Sequence, residues 1–157
     1  MPAAQVGPSG AHGVPVSVPA AGSLGVGLVE GWRGPVVVGL EAGADGATRL
    51  LVELGDGQTV ESVLRPRGGL CVSTQGGCAV GCTFCMTGRD GLLRQLGSAE
   101  IVAQVVLARR RRKVGKVVFM GMGEPAHNMD NVLDAIELLG TAGGIGHKSL
   151  VFSPVGD

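Results

Sequence analysis

The sequence of 157 residues contains no apolar run close to the ~20 residues that a membrane-spanning helix requires. Its N-terminus also lacks the basic segment followed by an apolar segment that marks a secretory signal peptide. We therefore expect a cytoplasmic protein with no membrane contact. In that compartment cysteines stay reduced, and clustered cysteines bind metal or take part in chemistry.

Aromatic residues are scarce as well, and the formal net charge is zero. Phe, Trp and Tyr make up 3% of the chain, whereas glycine occurs 29 times. This combination indicates either many tight turns or a genome rich in Gly and Ala codons. The apolar content of 45% is enough for one globular domain with a sizeable core. The formal net charge of zero argues against bulk attraction to nucleic acid.

The charges are nevertheless distributed unevenly. The segment 65–116 contains ten Lys or Arg and two acids, whereas the rest of the chain contains three Lys or Arg and eleven acids. Such asymmetry is compatible with a phosphate-bearing partner. The alternative is that the basic run 109–113 only ends a helix, where cations interact favourably with the helix dipole.

The first part of the chain divides into two segments. Residues 1–25 are rich in Pro, Gly, Ala and Ser without a hydrophobic period, which predicts a disordered arm. From Trp32 the pattern becomes strand-like, and the turns GADG and GDG separate the apolar runs 35–40, 48–54 and 59–64. We predict a small antiparallel β meander over residues 32–68.

Residues 69–157 alternate between strand and helix patterns. The predicted strands are 69–75, 116–121 and 148–153, and the predicted helices are 98–113 and 129–140. The apolar residues expected to face the core are Ile101, Val102, Val105 and Val106 on the first helix and Val132, Leu133, Ile136 and Leu139 on the second.

This βαβαβ order predicts a parallel sheet with right-handed crossovers. In such sheets the chemistry lies at the carboxyl ends of the strands. A cysteine-rich loop, the sequence GMGEP and the sequence SPVG each follow a predicted strand directly. We expect all three to meet at one rim.

Three of the four cysteines lie in GGCAVGCTFCMTG (76–88), at Cys78, Cys82 and Cys85. Three thiolates on one loop can hold three irons of a 4Fe–4S cluster and leave the fourth iron open to a small molecule that carries an amine and a carboxylate. Zinc is an alternative, because Cys71 could complete a four-thiolate site, although zinc ligands usually come as two separated pairs. Three buried small residues are the non-functional alternative.

The spacing C-x3-C-x2-C is typical of the radical S-adenosylmethionine (SAM) superfamily. A closer resemblance rests on two long segments, LCVSTQGGCAVGCTFCMTGRDGLLRQLGSAEIVAQV and VVFMGMGEPAHNMDNVLDAI. From about Asp45 to Gly156 the chain resembles the radical SAM methyltransferases that act on carbon 2 of an adenine in 23S ribosomal RNA. Sister enzymes methylate carbon 8 and give antibiotic resistance. The implied fold is α/β, the first half of a partial (β/α)6 TIM-like barrel over 69–157, preceded by the meander.

The resemblance also implies the site residues. The cluster ligands would be Cys78, Cys82 and Cys85, and the residues that contact SAM would be Gly123, Glu124 and Ser153. Glu61 would accept a proton, and Cys71 would help to resolve a covalent intermediate between protein and RNA.

Each of these residues also has a structural interpretation. Glu61 could be an ordinary exposed strand residue, and Cys71 a small buried hydrophobe. Gly123 could only serve a tight strand exit, and Ser153 could only cap a turn. His127 and His147 match nothing in the family and are predicted to lie on the surface.

The implied cofactors are a 4Fe–4S cluster and SAM, and the implied partners are 23S rRNA and an electron donor such as flavodoxin or ferredoxin. In this family the reduced cluster cleaves SAM, and the resulting radical takes a hydrogen from a methyl group carried by a cysteine near the C-terminus. The methyl-derived carbon then adds to the adenine, whose ring proton is removed by a base.

The sequence departs from the family in ways that affect these expectations. No methyl-carrying cysteine remains among the four, and the helical N-terminal RNA-binding domain has no counterpart. We therefore expect an incomplete member whose last strand leaves a sheet edge open to self-association. The alternatives are a radical SAM paralogue with a substrate other than rRNA and a catalytically inactive metal-binding remnant.

Overall fold

The computed structural model describes residues 34–156. The predicted arm over residues 1–25 lies outside this range. Eight strands and two α-helices follow in the order β1 (Val36–Ala42), β2 (Thr48–Glu53), β3 (Thr59–Leu64), β4 (Gly69–Val72), β5 (Gln75–Gly77), β6 (Leu92–Gln95), α1 (Ser98–Arg109), β7 (Lys116–Phe119), α2 (Met129–Thr141) and β8 (Leu150–Phe152). None of the helices in residues 34–156 has the length and apolar character needed to span a bilayer.

Six of these strands form one mixed sheet in the order β1-β2-β3-β4-β7-β8. Neighbouring strands from β1 to β4 are antiparallel, whereas β4, β7 and β8 are parallel. The parallel strands are joined through α1 and α2, as two-residue turns cannot join parallel neighbours. The predicted α/β class is confirmed, and the antiparallel strands continue directly into the parallel ones.

One face of this sheet is buried and the other is open. Alternation along the strands sends every second side chain towards α1 and α2. The largest buried side chains of the sheet are Leu50, Val52, Val60, Leu64, Leu70, Val72, Val117 and Phe119. The alternate positions Arg49, Glu61 and Cys71 point to the opposite face, where Arg49 and Glu61 are partly exposed and Cys71 is buried. This face therefore presents polar and reactive groups on a rigid support.

The helices differ from the prediction in length and in orientation. Helix α1 ends at Arg109 rather than at Lys113, and α2 extends one residue beyond Gly140. Val106 and Leu133, which were expected to face the core, are 47% and 53% exposed. On α1 the buried face consists of Ile101, Gln104, Val105 and Ala108, which follow the i, i+3, i+4, i+7 spacing.

Gln104 lies on this apolar face because it completes the hydrogen bonds of the sheet. Its Oε1 accepts from the Ser62 hydroxyl at 2.7 Å and from the Ser73 N–H at 2.9 Å, and its Nε2 donates to the Ser73 carbonyl at 2.9 Å. The Gln104 side chain thus gives Ser73, just after β4, the backbone hydrogen bonds that a neighbouring strand would otherwise supply. A buried polar group satisfied in this way is tolerated in a core.

A second, two-stranded sheet was not predicted. The short strand β5 pairs in antiparallel fashion with β6, with a register shift between Gly76 and Gly77. Gly77 has φ +76°, and a Cβ there would collide with the Gly91 carbonyl oxygen. Only glycine therefore allows the two strands to approach at this point. The cysteine-rich loop runs between these two strands.

Candidate functional site

The cysteine-rich loop, residues 78–91, is closed at its base by backbone hydrogen bonds. The Cys78 N–H donates to the Gly91 carbonyl at 3.0 Å, and within the loop the Cys85 N–H donates to the Cys82 carbonyl at 3.0 Å. Gly88 faces Gly81 so closely that a Cβ on Gly88 would lie 3.0 Å from the Gly81 Cα. The loop is therefore a compact turn held on a β hairpin.

All three loop thiols are free. Cys78 and Cys82 are half-buried, and Cys85 is exposed. Hydrogen bonds from the Thr87 side chain and backbone hold the pKa of Cys85 below its usual value, which favours the thiolate that binds metals.

The donor chemistry of the loop suits a metal centre, although its thiols do not converge on one point. Within residues 34–156 no three His, Cys, Asp or Glu side chains converge closely enough in this conformation to hold one ion. The donor set itself fits a soft metal centre, because three free thiols lie on one short loop and soft thiolate ligands select zinc, copper(I) or iron–sulfur centres.

The GMGEP loop, residues 121–125, follows β7 and packs directly on the exit of β4. A Cβ on Gly121 would lie 2.7 Å from the Val72 carbonyl oxygen. Gly123 has φ +95°, and a Cβ there would lie 2.7 Å from the Cγ of Gln75. Both glycines are therefore required by the close approach of two backbone segments.

Glu124 connects this loop to the segment after β8. The residue is 4% exposed, and its carboxylate accepts from the Ala126 N–H through Oε1 and from the Val155 N–H through Oε2, both at 2.9 Å. Each oxygen keeps a second lone pair for another donor. The Glu124 N–H donates to the Gln75 Oε1 at 2.7 Å, which holds the carboxylate in place.

The three segments expected at one rim line a common cleft of about 280 Å³. Val80 comes from the cysteine-rich loop, Glu124 and Ala126 come from the GMGEP loop and its continuation, and Phe152 and Pro154 come from the end of β8. Of the predicted SAM residues, Glu124 lines the cleft. Ser153 is half-buried between two lining residues but does not line the cleft itself.

Glu61 and Cys71 line a second pocket of about 200 Å³. They come from neighbouring strands, since Cys71 pairs with Val63 in the register of β3 and β4. Thr87 of the cysteine-rich loop and residues 120–122 complete the walls. The structure thus brings the two predicted catalytic side chains to one pocket beside the loop.

The two side chains have different electrostatic surroundings. Burial raises the pKa of the Cys71 thiol, and Arg65 opposes this effect in part. Glu61 is 42% exposed and forms an ion pair with Arg49 at 3.2 Å, and Arg49 also pairs with Glu41. These two carboxylates raise the pKa of the Arg49 guanidinium.

Several polar residues that support the site were missed from the sequence. The Asn128 Nδ2 donates to the Thr74 and Leu96 carbonyls, both at 2.7 Å. The Gln75 Nε2 donates to the Gln95 Oε1 at 2.9 Å. These amides connect the exits of β4 and β6 to the segment after β7. In the sequence Gln75 and Asn128 are only single polar residues at or after the end of a predicted strand, and such residues are common in ordinary loops.

Arg94 attaches the β5–β6 hairpin to its neighbours. Its guanidinium forms ion pairs with Asp56 of the β2–β3 turn and with Glu100 of α1, both at 2.7 Å. The hydrogen bond with Arg94 holds the pKa of the Glu100 carboxyl below its usual value. The cysteine-rich loop is therefore fixed at its base to both the antiparallel strands and the first helix.

Residues 72–156, which include the cysteine-rich loop, the GMGEP loop and the end of β8, match the sequence profile of the radical SAM superfamily. The chain belongs to the radical SAM superfamily. This confirms the superfamily predicted from the cysteine spacing and makes the chain a member of an enzyme superfamily.

Proteins with similar sequences are named as probable RNA methyltransferases. A protein of Aromatoleum aromaticum named probable RNA methyltransferase is 86% identical over 116 residues, which are 74% of this chain and 32% of that protein. A protein of Stutzerimonas stutzeri with the same name is 82% identical over 114 residues, 73% of this chain and 33% of the other. The chain spans about a third of the length of these curated relatives.

A solved structure supports the fold. The crystal structure of a radical SAM methyltransferase from Sphaerobacter thermophilus superposes with a TM-score of 0.74 at 38% identity. The match covers 78% of this chain and 39% of that one. This radical SAM chain is therefore similar to part of a methyltransferase.

Proposed function

We propose that this chain carries the cofactor-binding part of a radical SAM enzyme that methylates an adenine of 23S rRNA. The observation that carries the proposal is the convergence of the cysteine-rich loop, the GMGEP loop and the end of β8 on one cleft. In parallel α/β proteins ligands bind at this edge of the sheet. The names of the similar proteins support an RNA substrate.

Cys78, Cys82 and Cys85 would hold a 4Fe–4S cluster. When bound and reduced by a donor such as flavodoxin or ferredoxin, such a cluster supplies the electron that cleaves SAM. The three thiols would leave one iron of the cluster without a protein ligand, so that the amine and carboxylate of a small molecule could bind it. This division of ligands distinguishes the proposal from a zinc site completed by Cys71.

The cleft beside the loop would hold SAM. Its volume of about 280 Å³ is near the lower end of small-ligand pockets, ~300 Å³. The free lone pairs of Glu124 suit the ammonium of an amino acid. Gly123 keeps the backbone close to β4, and Ser153 would contact SAM from the end of β8. Val80 and Phe152 supply apolar walls that exclude water.

Glu61 and Cys71 would act on the RNA from the adjacent pocket. Glu61 would accept the ring proton of the adenine, with its carboxylate oriented by Arg49. Cys71 would help to cleave the covalent bond between protein and RNA as a thiolate, and burial, which raises the pKa of its thiol, disfavours that form until the proton is removed. Glu61 and Cys71 line one pocket, so proton removal and cleavage of the protein–RNA bond would both take place on the nucleotide bound there.

The four cysteines of the sequence all have roles in this proposal, so none is left to carry a methyl group. We expect the 157 residues alone to cleave SAM without transferring a methyl group. The zero net charge favours a second candidate, a radical SAM enzyme that acts on a substrate other than rRNA.

Anaerobic reconstitution with iron and sulfide tests the proposal. We expect a brown protein that contains iron and sulfide in equal amounts and that produces 5′-deoxyadenosine and methionine from SAM when dithionite is added. Cys82→Ser should lose the iron, whereas Cys71→Ser should retain it. Zinc in place of iron, released by Cys71→Ser, would refute the proposal.

The substrate requires a separate measurement. Extending the same chain with the remaining part of a relative and supplying SAM with a labelled methyl group should label 23S rRNA at an adenine. Label in a different molecule under the same conditions would favour the second candidate.

A further inference from the structure

A strongly basic surface lies at the amino ends of β4 and β7, whereas the cleft lies at the carboxyl ends of the parallel strands. It consists of the β3–β4 turn and the segment from the end of α1 to the start of β7. We call it the basic edge and define it by Arg65, Arg67, Arg109, Arg110, Arg111, Arg112, Lys113 and Lys116. These are eight of the 13 Lys and Arg in the chain, and residues 65–69 and 109–116 contain no acid.

Backbone contacts hold the two halves of the basic edge together. The Gly115 and Lys116 N–H groups donate to the Gly68 carbonyl at 2.9 and 3.3 Å. The Arg112 Nη1 donates to the Arg65 carbonyl at 3.3 Å. Cations that are distant in sequence therefore share one surface as a result of the fold.

These cations are exposed, and few acids lie near them. Seven of the eight are exposed, and Arg112 is half-buried. Among residues 34–156, ion pairs involve only Arg49 and Arg94 as cations. Asp45 is in the neighbouring β1–β2 turn, where its carboxylate accepts from the Ala47 N–H at 3.0 Å. Repulsion among so many like charges destabilises a fold unless an anionic partner offsets it.

The helix dipole does not account for this surface. Its effect falls off within the last turn, and α1 already ends at Arg109. Arg65, Arg67 and Lys116 belong to other elements, and Lys116 begins a strand. One or two cations would satisfy the end of the helix. Eight cations from three elements suit a polyanion better.

We propose that the basic edge binds the phosphate backbone of RNA at a position separate from the cleft. This inference depends on the proposed function for the identity of the polyanion. Guanidinium groups bind phosphate through paired hydrogen bonds, and contacts of this kind position nucleic acid without reading its sequence. Arg65 lines the pocket of Glu61 and Cys71, whereas extended backbone from Lys116 to Gly121 covers ~16 Å. The basic edge would therefore contact RNA from beside the target nucleotide outwards into the flanking sequence.

The test is salt-dependent binding of a fluorescently labelled single-stranded RNA of mixed sequence to the metal-free 157-residue chain. Arg110→Gln/Arg111→Gln removes two exposed cations from the basic edge. The control, Arg89→Gln, removes an exposed cation of the cysteine-rich loop, at the end of the sheet where the cleft lies. Each phosphate contact contributes ~0.7 to the slope of log affinity against log salt, so we expect the first variant to lower that slope by about 1.4 and the control to leave it unchanged.

Several results would overturn the inference. These are the absence of RNA binding by the wild-type chain, an equal loss of affinity in both variants, and binding of polyglutamate or phosphatidylserine vesicles to the basic edge as tight as the binding of RNA. Thermal melting of both variants establishes that each is folded. RNA binding is measured without iron, so the two proposals can fail separately. A failure of SAM cleavage would refute the proposed function without affecting the RNA-binding result, and a failure of RNA binding would refute the basic edge without affecting SAM cleavage.

Discussion

At the scale of single residues, two glycines determine how closely the GMGEP loop approaches β4. Gly121 and Gly123 both lie where a Cβ would press on β4 or on Gln75. The same close approach places the Glu124 N–H on the Gln75 side chain and its carboxylate in the cleft. The need for glycine at these two positions therefore determines where the Glu124 side chain lies, and Glu124 is the residue proposed to bind SAM.

We predict that Gly123→Ala is more destabilising than an equivalent change elsewhere. Gly57 is the matched control, because it has φ +84° and nothing lies within 4 Å of a Cβ there. A left-handed conformation costs a non-glycine residue about 1–2 kcal/mol. Gly57→Ala should lose that amount, and Gly123→Ala should lose ~1–3 kcal/mol more through overpacking against Gln75. Urea unfolding of both variants measures the difference, and equal losses would contradict the predicted contact.

The individual site residues were predictable to different degrees. Cys78, Cys82 and Cys85 stand out in the sequence because a fixed spacing of reactive side chains is a local property, and their role as cluster ligands stays a prediction. Gln75 and Asn128 do not stand out, since their function is to accept and donate across segments that meet only in the fold. A lone amide after a strand gives no sign of its partners.

At the scale of elements, the β5–β6 hairpin and its attachment to α1 form the support of the cysteine-rich loop. Arg94 joins this hairpin to Glu100 and Asp56. Glu100 also accepts from the Gly97 N–H at 2.9 Å and so satisfies one of the free donors at the start of α1. One carboxylate therefore supports both the helix and the loop.

We predict that Glu100 makes stability depend on pH in the acid range. Its pKa lies below the usual 4.5 in the folded chain, chiefly because of the hydrogen bond with Arg94. The unfolded chain therefore binds the proton first as pH falls, so the stabilisation is complete above pH 4.5 and is lost as pH falls through the folded pKa.

Glu100→Gln should lose ~1 kcal/mol at neutral pH, and its difference from wild type should narrow below pH 4.5. Glu137→Gln, at an exposed position of α2, is the control. Urea unfolding across the acid range measures both. A difference that stays constant with pH would exclude the charge of Glu100 as the cause.

The elements of the chain were predicted well where they have a hydrophobic period and poorly where glycine dominates. The strands of the meander and the two helices follow simple apolar patterns. The β5–β6 hairpin has no such pattern, because β5 is QGG and its geometry depends on Gly77. The orientation of α1 was partly wrong because Gln104 is buried for its hydrogen bonds, which a count of apolar residues does not detect.

At the scale of the whole molecule, the open face of the sheet brings Glu61 and Cys71 together. The antiparallel pairing of β3 with β4 joins the meander to the parallel strands and places both side chains on one face. The pairing is a hairpin closed over residues 65–68, where the Arg65 N–H donates to the Gly69 carbonyl at 2.7 Å. The sequence predicted a strand on each side of this turn but not that the two strands pair. The convergence of three loops at one rim could be predicted, because it follows from the parallel order of the strands.

The large sheet has two edge strands, β1 and β8, and β1 has a register shift between Val37 and Gly39 that opposes edge-to-edge pairing. Strand β8 pairs with β7 on one side, and no strand among residues 34–156 pairs with its other side. Its residues, Leu150, Val151 and Phe152, are apolar and half-buried. An apolar edge of this kind pairs readily with another chain.

We therefore predict that the purified 157-residue chain self-associates through β8. Lysine on an edge strand opposes edge-to-edge pairing, because its charge would have to be desolvated in the new sheet. Val151→Lys should shift the chain towards the monomer, whereas Val38→Lys on the opposite edge strand β1 should not. Sedimentation equilibrium over a range of protein concentrations measures both variants. A wild-type chain that is monomeric at every concentration, or an equal effect of both lysines, would show that β8 is not the contact.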